Sequence, residues 1–413
     1  MLSFKSFLKE EVLNEESLLL EAAASAGVEN DDKGKLHELL LAKYLHPDNK
    51  LPDHHRSESE NEDHAGTPQQ VHDRLMKKIG PAAYNEIDGH AKQTAEGIKK
   101  HFTEHGHVGP GQHIGNVFWT SNADKANKPG DHEKTTGVKD VNSNADLIVR
   151  VHDKNGKTVS HVGVSAKYGS NKPNYRNPGL DSMEKVAGLE KGSMKALTDA
   201  HHAHMEKLGY NGSADQRNIQ YKIDKMGVDK ARTEHAKFEA LVKQGKSLSK
   251  KNGIMHEHLG KFLEAHDGMK SDKDRMSFEQ QAKSRAASAE ASSLEAKRAV
   301  AKHFAGGLAK KSDDELRQIV RDHVSAPTHI PHIVAHSKVK DDGSAESHIE
   351  PSHSIADDHL AKFDNLHVAH TGGIQTTIKG THKQTGKVQN VAAFTTKSSS
   401  GPHKSLAGAF SLS

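Results

Sequence analysis

Cysteine is absent from all 413 residues. That excludes disulfides and thiolate metal sites and is compatible with a reducing compartment. Apolar material is scarce: hydrophobic residues make up 33% and aromatic residues 4%, with a mean hydropathy of −0.79. One compact globule of this length normally carries more. The expectation is two or three domains, with one modest α/β core among long polar helices and linker. No apolar run approaches the length of a membrane span. No Gly-x-Ser-x-Gly element is present, and the glycines and lysines from Lys185 to Lys195 do not make a phosphate-binding loop.

A net charge of +3 is too small to argue for nucleic acid from the global balance. Its distribution says more. From Asn365 to Ser413 there are five lysines (379, 383, 387, 397 and 404) and no acid. The stretch Gly163 to Gly179 carries Lys167, Lys172 and Arg176, again without an acid. Patches of this kind suit phosphates, although an ordinary solvated basic face has the same composition.

Along the chain, Phe4, Phe7, Leu8 and Val12 recur at helical spacing, interrupted by glutamates that rule out the apolar core of a secretory signal. A helix is expected over 32–45, with Leu36, Leu39, Leu40 and Leu45 on its apolar face and Pro47 beyond its end. Residues 47–69 read as linker, and 68–105 as helix split near Gly80-Pro81. A short strand holds Trp119, the only tryptophan, and 122–143 read as loop. Residues 180–324 are helical and rich in lysine, glutamate, histidine and alanine, with 282–301 suited to a long exposed helix. Strand patterns return at 332–339, 366–370, 375–380 and 388–396.

The most specific local pattern surrounds Asn155-Gly156, a dipeptide that tolerates the positive φ of a tight hairpin turn. With those two at the turn centre, Lys154 faces Lys157 and Asp146 lies directly across from Ser165. Lys167 is then the diagonal neighbour on the same face, roughly 7–8 Å away. A carboxylate and an ammonium joined in this way suit a metal-dependent phosphodiesterase: Asp146 as Mg2+ ligand, Lys167 orienting the attacking hydroxide and stabilising developing charge. A solvent-facing Asp–Lys cross-strand pair is the plain alternative.

The segment also resembles the PD-(D/E)xK nuclease superfamily, the restriction-endonuclease-like fold, in its Ser-x-Lys variant. Gly163-Val-Ser165-Ala-Lys167-Tyr-Gly169-Ser170 is similar to the family's Gly-x-Ser-x-Lys-x-Gly-Ser form. Lys33-Gly34-Lys-Leu-His-Glu38 is similar to the context of the glutamate on the family's first core helix. The resemblance implies an α/β (α+β) fold with a mixed sheet flanked by helices. It implies Glu38, Asp146, Ser165 and Lys167 as catalytic residues, with Asp146 and Glu38 holding Mg2+ or Mn2+. The chain departs from the pattern twice: Ala145 replaces the usual proline and Ser165 the second acid. One carboxylate fewer throws more of the metal binding onto Glu38.

The start Met-x-x-Phe-x-x-Phe-Leu-x-Glu resembles the capsid-targeting peptide on internal head proteins of large contractile-tailed phages. There the prohead protease cuts after a glutamate preceded by leucine, as in Leu18-Leu19-Leu20-Glu21 before Ala22. The resulting organisation is a propeptide at 1–21, first core helix at 22–46, linker at 47–69 and nuclease-like core at 70–180. A helical insertion follows at 181–325, and strands at 326–413 complete the sheet. Lys172, Tyr175, Arg176, Lys397 and Lys404 are the candidate DNA contacts, through phosphate neutralisation and base stacking.

Histidine pairs at His201-His202-x-His204 and His256-x-His258 resemble zinc ligands, but residues two apart on a helix do not share a face, and no spaced partner completes a site. The favoured reading is a Mg2+-dependent DNA endonuclease carried in the phage capsid interior and then acting in the host cytoplasm. Its partners are DNA, the prohead protease and the capsid interior, without membrane, and a homodimer is compatible. The alternatives are a non-catalytic DNA-binding head protein with a degenerate nuclease fold, and a helical scaffold-like protein whose hairpin is merely structural.

Overall fold

A computed structural model of the chain describes residues 31–52, 62–120, 138, 145–169, 174–245, 248, 250–325, 330–340, 342–398 and 406–413. The proposed propeptide with Glu21 and Ala22, the segment 122–137, Lys172 and Lys404 lie outside these residues. The fold is mixed α/β with two mostly antiparallel five-stranded sheets, one in each of two compact units. Among the described residues, no helix is long and apolar enough to cross a membrane.

The first unit comprises Met1–Pro173 and Val320–Leu360. Its helix α1 covers 31–45, and Leu36, Leu39, Leu40 and Leu45 are fully buried, as their spacing anticipated. Helix α2 (Pro68–Ile79) opens on a capping box between Thr67 and Gln70 and stops at Gly80, whose φ of 86° no helix continues through. Pro81 then starts α3 (Pro81–Glu104). The sheet of this unit is ordered β1 (Gln112–Trp119), β2 (Leu147–Asp153), β3 (Thr158–Tyr168), β5 (His332–Val339), β6 (Ala345–Pro351). Only the β3–β5 pair is parallel; it aligns Gly163 with His332 and Lys167 with His336. Leu147, Val149, Val162, Val164, Ile333 and Ala335 join the helical leucines in one core on one face. Phe118, Val138, Ala145 and Ile148 form a smaller cluster of their own.

The hairpin arrives at the anticipated pairing by a different turn. Asp153 bonds across to Lys157, so Lys154, Asn155 and Gly156 form a three-residue loop instead of a two-residue turn. Asp153 Oδ1 stabilises that loop by accepting from the N–H groups of Asn155 and Lys157 at 2.8 and 2.9 Å. Gly156 supplies the positive φ, 77°. The extra residue would displace every later pair by one. A bulge at Val159, between the pairs His152–Thr158 and Val151–Ser160, shifts the strands back. The ladder then runs to Leu147–Val164, and Asp146 faces Ser165.

The second unit comprises Asn174–Ile319 and Ala361–Ser413. It contains β4 (Asn174–Arg176), helices α4 (Leu180–Ala187), α5 (Ser193–Lys207), α6 (Ala214–Met226), α7 (Val228–Lys243), α8 (Lys250–Asp267) and α9 (Asp272–Leu308), and the first part of α10 (Asp313–Ser325). Helix α11 (Ser352–Leu360) belongs to the first unit, and β7 (Phe363–His370), β8 (Gln375–His382), β9 (Val388–Ser398) and β10 (Leu406–Leu412) to the second. Its sheet is ordered β4-β10-β9-β8-β7.

The expected strands completing the first sheet are therefore divided. Residues 332–351 do so, whereas the strands of 363–412, joined by β4 from the end of the expected nuclease-like core, build a separate sheet in the unit that also holds most of the expected helical insertion. Helix α9 is likewise the packing centre of its unit instead of an exposed rod. Ala282, Ala286, Ala289, Ser293, Ala296 and Val300 are buried along it at alternating spacings of four and three. Small side chains at that spacing let neighbouring helices approach closely without large apolar residues. At its end Phe304 meets Phe394, whose ring is 4.9 Å from that of Phe410. Thr376 Oγ1 donates to the carbonyl of Ala301 at 2.9 Å.

Truncating Leu40 to alanine removes a fully buried side chain from the α1 core contact and is expected to destabilise the protein by about 2–5 kcal/mol. Urea denaturation measures it, and a loss below ~1 kcal/mol would contradict the packing described.

Candidate active site

Asp146, Ser165 and Lys167 meet at the end of the first sheet where β1 finishes and β2 begins, and Glu38 lies within electrostatic reach of Asp146. Asp146 precedes β2; its N–H donates to Val164 and its carbonyl accepts from Thr120. Its Oδ2 accepts from the Ala166 N–H at 2.8 Å and from Ser165 Oγ at 3.4 Å, and lies 3.5 Å from Lys167 Nζ. The hairpin thus brings Asp146, Ser165 and Lys167 together as the strand count anticipated. Ser165 is buried, and Asp146 and Lys167 are half-buried.

Glu38 enters from α1. Its Oε2 accepts from Lys35 Nζ at 2.7 Å and from the Trp119 indole N–H at 3.1 Å. Burial raises the Glu38 pKa; the Lys35 charge opposes this and the nearby Asp146 charge adds to it. For Lys35, burial acts downward, but the Glu38 and Asp146 charges outweigh it and the net shift is upward. Glu38 and Asp146 are thus within electrostatic reach of each other, two carboxylates flanked by two ammonium groups. Each carboxylate uses one oxygen toward the protein. Asp146 Oδ1 and Glu38 Oε1 have no described hydrogen-bond partner.

Lys35 and Trp119 were not anticipated as site residues. Lys35 was legible as an i, i+3 partner of Glu38, but the Trp119 indole depends on how α1 crosses the sheet. His332 was also missed. It pairs with Gly163 on β3, is buried, and both ring nitrogens lack a described partner. A side chain at Gly163 would press on it: a Cβ there would stand 2.8 Å from His332 Cδ2.

A polar belt fixes α1 against the strands. His37, next to Glu38, shares a 2.7 Å hydrogen bond with Ser337 on β5 and stacks on Tyr168, next to Lys167, at 4.8 Å. Tyr168 also bonds His90 of α3 at 3.3 Å, and Thr94 bonds Ser337. Burial, with the charges of His90 and His336 adding to it, holds the His37 pKa down at about 3. His332 is lowered to about 4 by burial, and His101 to about 4 by burial and its neighbours His105 and His107.

The expected DNA contacts are arranged differently from the sequence reading. Tyr175 and Arg176 lie on strand β4 of the second unit instead of a loop continuing from Lys167. Lys397 lies on β9 of the same sheet. Arg176 pairs with Phe410, which pairs with Phe394, while Lys397 pairs with Ala407, three positions along. Directly paired residues share a face and residues three apart do not, so Arg176 and Lys397 occupy opposite faces and do not form one patch.

Lys35→Met leaves Glu38 buried without its cation and is expected to cost about 3 kcal/mol. The double variant Lys35→Met/Glu38→Leu should recover more than half of that loss in urea denaturation; no recovery would show that the pair is not a unit. Three buried neutral histidines also make the fold acid-sensitive. The unfolded chain takes up protons near pH 6.5, while native His37, His101 and His332 do so only at about 3 to 4. Stability should therefore be full above pH 6.5 and decline as pH falls from 6.5 toward 4, these three alone contributing up to about 4 kcal/mol per pH unit, with His201, also lowered to about 4 by burial, adding to it. An unchanged urea midpoint between pH 7 and pH 5 would refute this.

No family model matches the chain, nor does any curated protein or solved structure.

Proposed function

We propose that the first unit is a metal-dependent deoxyribonuclease of the restriction-endonuclease-like kind, in its Ser-x-Lys form. One observation carries the reading: Glu38 of α1 lies within electrostatic reach of Asp146, which the hairpin pairs with Lys167, and one oxygen of each carboxylate has no partner among the described residues. The mixed sheet, flanked by helices and holding the hairpin at its centre, supports the fold assignment.

The donor set is all oxygen, which suits Mg2+ or Mn2+. Asp146 Oδ1 and Glu38 Oε1 would hold the ion, leaving water and phosphate oxygens to complete its shell. Once bound, such a cation lowers the pKa of a coordinated water and offsets phosphate charge. The protein's own side chains do the rest. Ser165 Oγ and the Ala166 N–H fix the Asp146 carboxylate through Oδ2. Lys167, anchored by the same oxygen, presents an ammonium to the charge that builds on the phosphate during attack. In hydrolysis the water oxygen bonds to phosphorus, the sugar oxygen departs and is protonated, and no redox partner is required. Lys35 serves as a positioning residue, its charge opposing the burial that raises the Glu38 pKa.

The lysine-rich, acid-free C-terminal stretch supports DNA as the substrate class, with Lys397 and Arg176 as separate contacts and Lys172, Tyr175 and Lys404 as further ones. The N-terminal sequence supports packaging in a phage head with removal of the first 21 residues by the prohead protease.

Purified protein incubated with plasmid and Mg2+ is expected to cut. Asp146→Ala and Lys167→Ala should each lower the rate at least ~100-fold, in line with the loss of a charge-stabilising group, while retaining wild-type circular dichroism. Unchanged cutting in either variant would sink the assignment. DNA retention in a mobility-shift assay without cutting in wild-type protein would favour the non-catalytic head protein. Mass spectrometry of virion-derived protein should find an N-terminus at Ala22, and an intact Met1 would count against the packaging reading.

A further inference from the structure

A second constellation lies in the second unit and owes nothing to the nuclease reading. His235 and Glu239 stand one turn apart on α7, so they share a face. His256 on α8 meets them from the facing helix. One ligand atom from each of the three lies within 4.8 Å of the other two. The two imidazoles stack at 4.7 Å with planes 21° apart. His256 Nε2 is 2.9 Å from Glu239 Oε1, and Lys243 approaches the other oxygen at 3.9 Å. His235 has no described hydrogen bond. Gly260, one turn beyond His256, leaves room for it: a Cβ there would stand 3.3 Å from His235 Nε2.

A hydrogen-bonded His–Glu pair explains two of these residues and leaves the third unexplained. Two imidazoles held parallel beside one carboxylate bring two nitrogen donors and an anionic oxygen to one point, at the half-exposed rim of an interhelical seam. We propose that His235, Glu239 and His256 bind a divalent transition-metal cation of the Zn2+ class, clipping α7 to α8. Tetrahedral Zn2+ with bonds of about 2.0–2.1 Å sets its ligand atoms about 3.4 Å apart. Small side-chain rotations bring the three atoms to that spacing. The fourth position opens to solvent and takes a water. Imidazole donors select this class over Mg2+, so the site is chemically distinct from the all-oxygen pair of Asp146 and Glu38. The clip would reinforce a seam that already rests on an apolar cluster around Val228, Ala231, Leu259 and Leu263, with Phe238 and Phe262 packed against it.

The chain holds 33 histidines, so weak Zn2+ uptake elsewhere is expected and the test rests on comparison. Tag-free full-length protein, stripped with chelator and titrated calorimetrically with Zn2+, should show one tight equivalent that excess Mg2+ does not displace. His235→Ala and His256→Ala should each weaken that step at least tenfold. His258→Ala, two residues from His256 and off its face, should leave it unchanged. Should either alanine variant lose helical circular dichroism, Glu239→Gln takes its place, keeping the size and the hydrogen bond to His256 while removing the charge. Absence of a tight equivalent in the wild type overturns the proposal, as does equal weakening in His258→Ala.

Discussion

The largely buried ionic contact between Lys35 and Glu38 is the constraint on which the proposed site of the first unit depends. A carboxylate at that depth is costly unless a cation and a further donor meet it, and breaking such a pair costs more than never having made it. Lys35 and the Trp119 indole supply both partners. They can do so only if α1 crosses the sheet at one place, and the adjacent His37 holds it there through Ser337 and Tyr168. A single turn of helix thereby carries a site residue on one side and its anchoring residue on the other. The hydrophobic contacts of Leu36, Leu39 and Leu40 supply the bulk of the adhesion; the polar contacts choose among the positions adhesion alone would allow.

Much of the first unit was readable from short-range signals. The leucine spacing fixed α1, Gly80-Pro81 divided α2 from α3, and the hairpin count put Asp146 opposite Ser165. That last success had an instructive route. The Asn155-Gly156 pattern suggests a two-residue turn, and the chain uses three residues with Asp153 as the cap. The bulge at Val159 restores the offset, so two unforeseen one-residue changes cancel. Register over the core strands is set by which residues must be buried, Val162 and Val164 against Leu147 and Val149, and the turn adapts to it.

The rest was not readable because it depends on partners far along the chain. Strand patterns at 366–396 announce strands without saying which sheet receives them, and Leu406–Leu412 is too rich in small residues to stand out. The alanines of α9 look like exposed helix by composition, and only their alternating spacing of three and four marks a seam. Histidine was misleading in a related way. Pairing His256 with its sequence neighbour His258 fails on geometry, whereas its actual neighbours, His235 and Glu239, come from the preceding helix.

The parallel pairing of β3 with β5 has a consequence for how the protein is made. Gly163 finds its partner only when His332 has emerged, and everything from β4 to most of α10 is synthesised in between. Until then β3 presents an open edge on the ribosome-bound chain, from Gly163 to Tyr168. The second unit, for its part, cannot insert β10 between β4 and β9 until the last residues appear. Both folding units therefore close late and on long-range contacts, a topology that is intrinsically slow and prone to aggregation. Soluble expression of this chain should therefore respond to translation speed and chaperone supply.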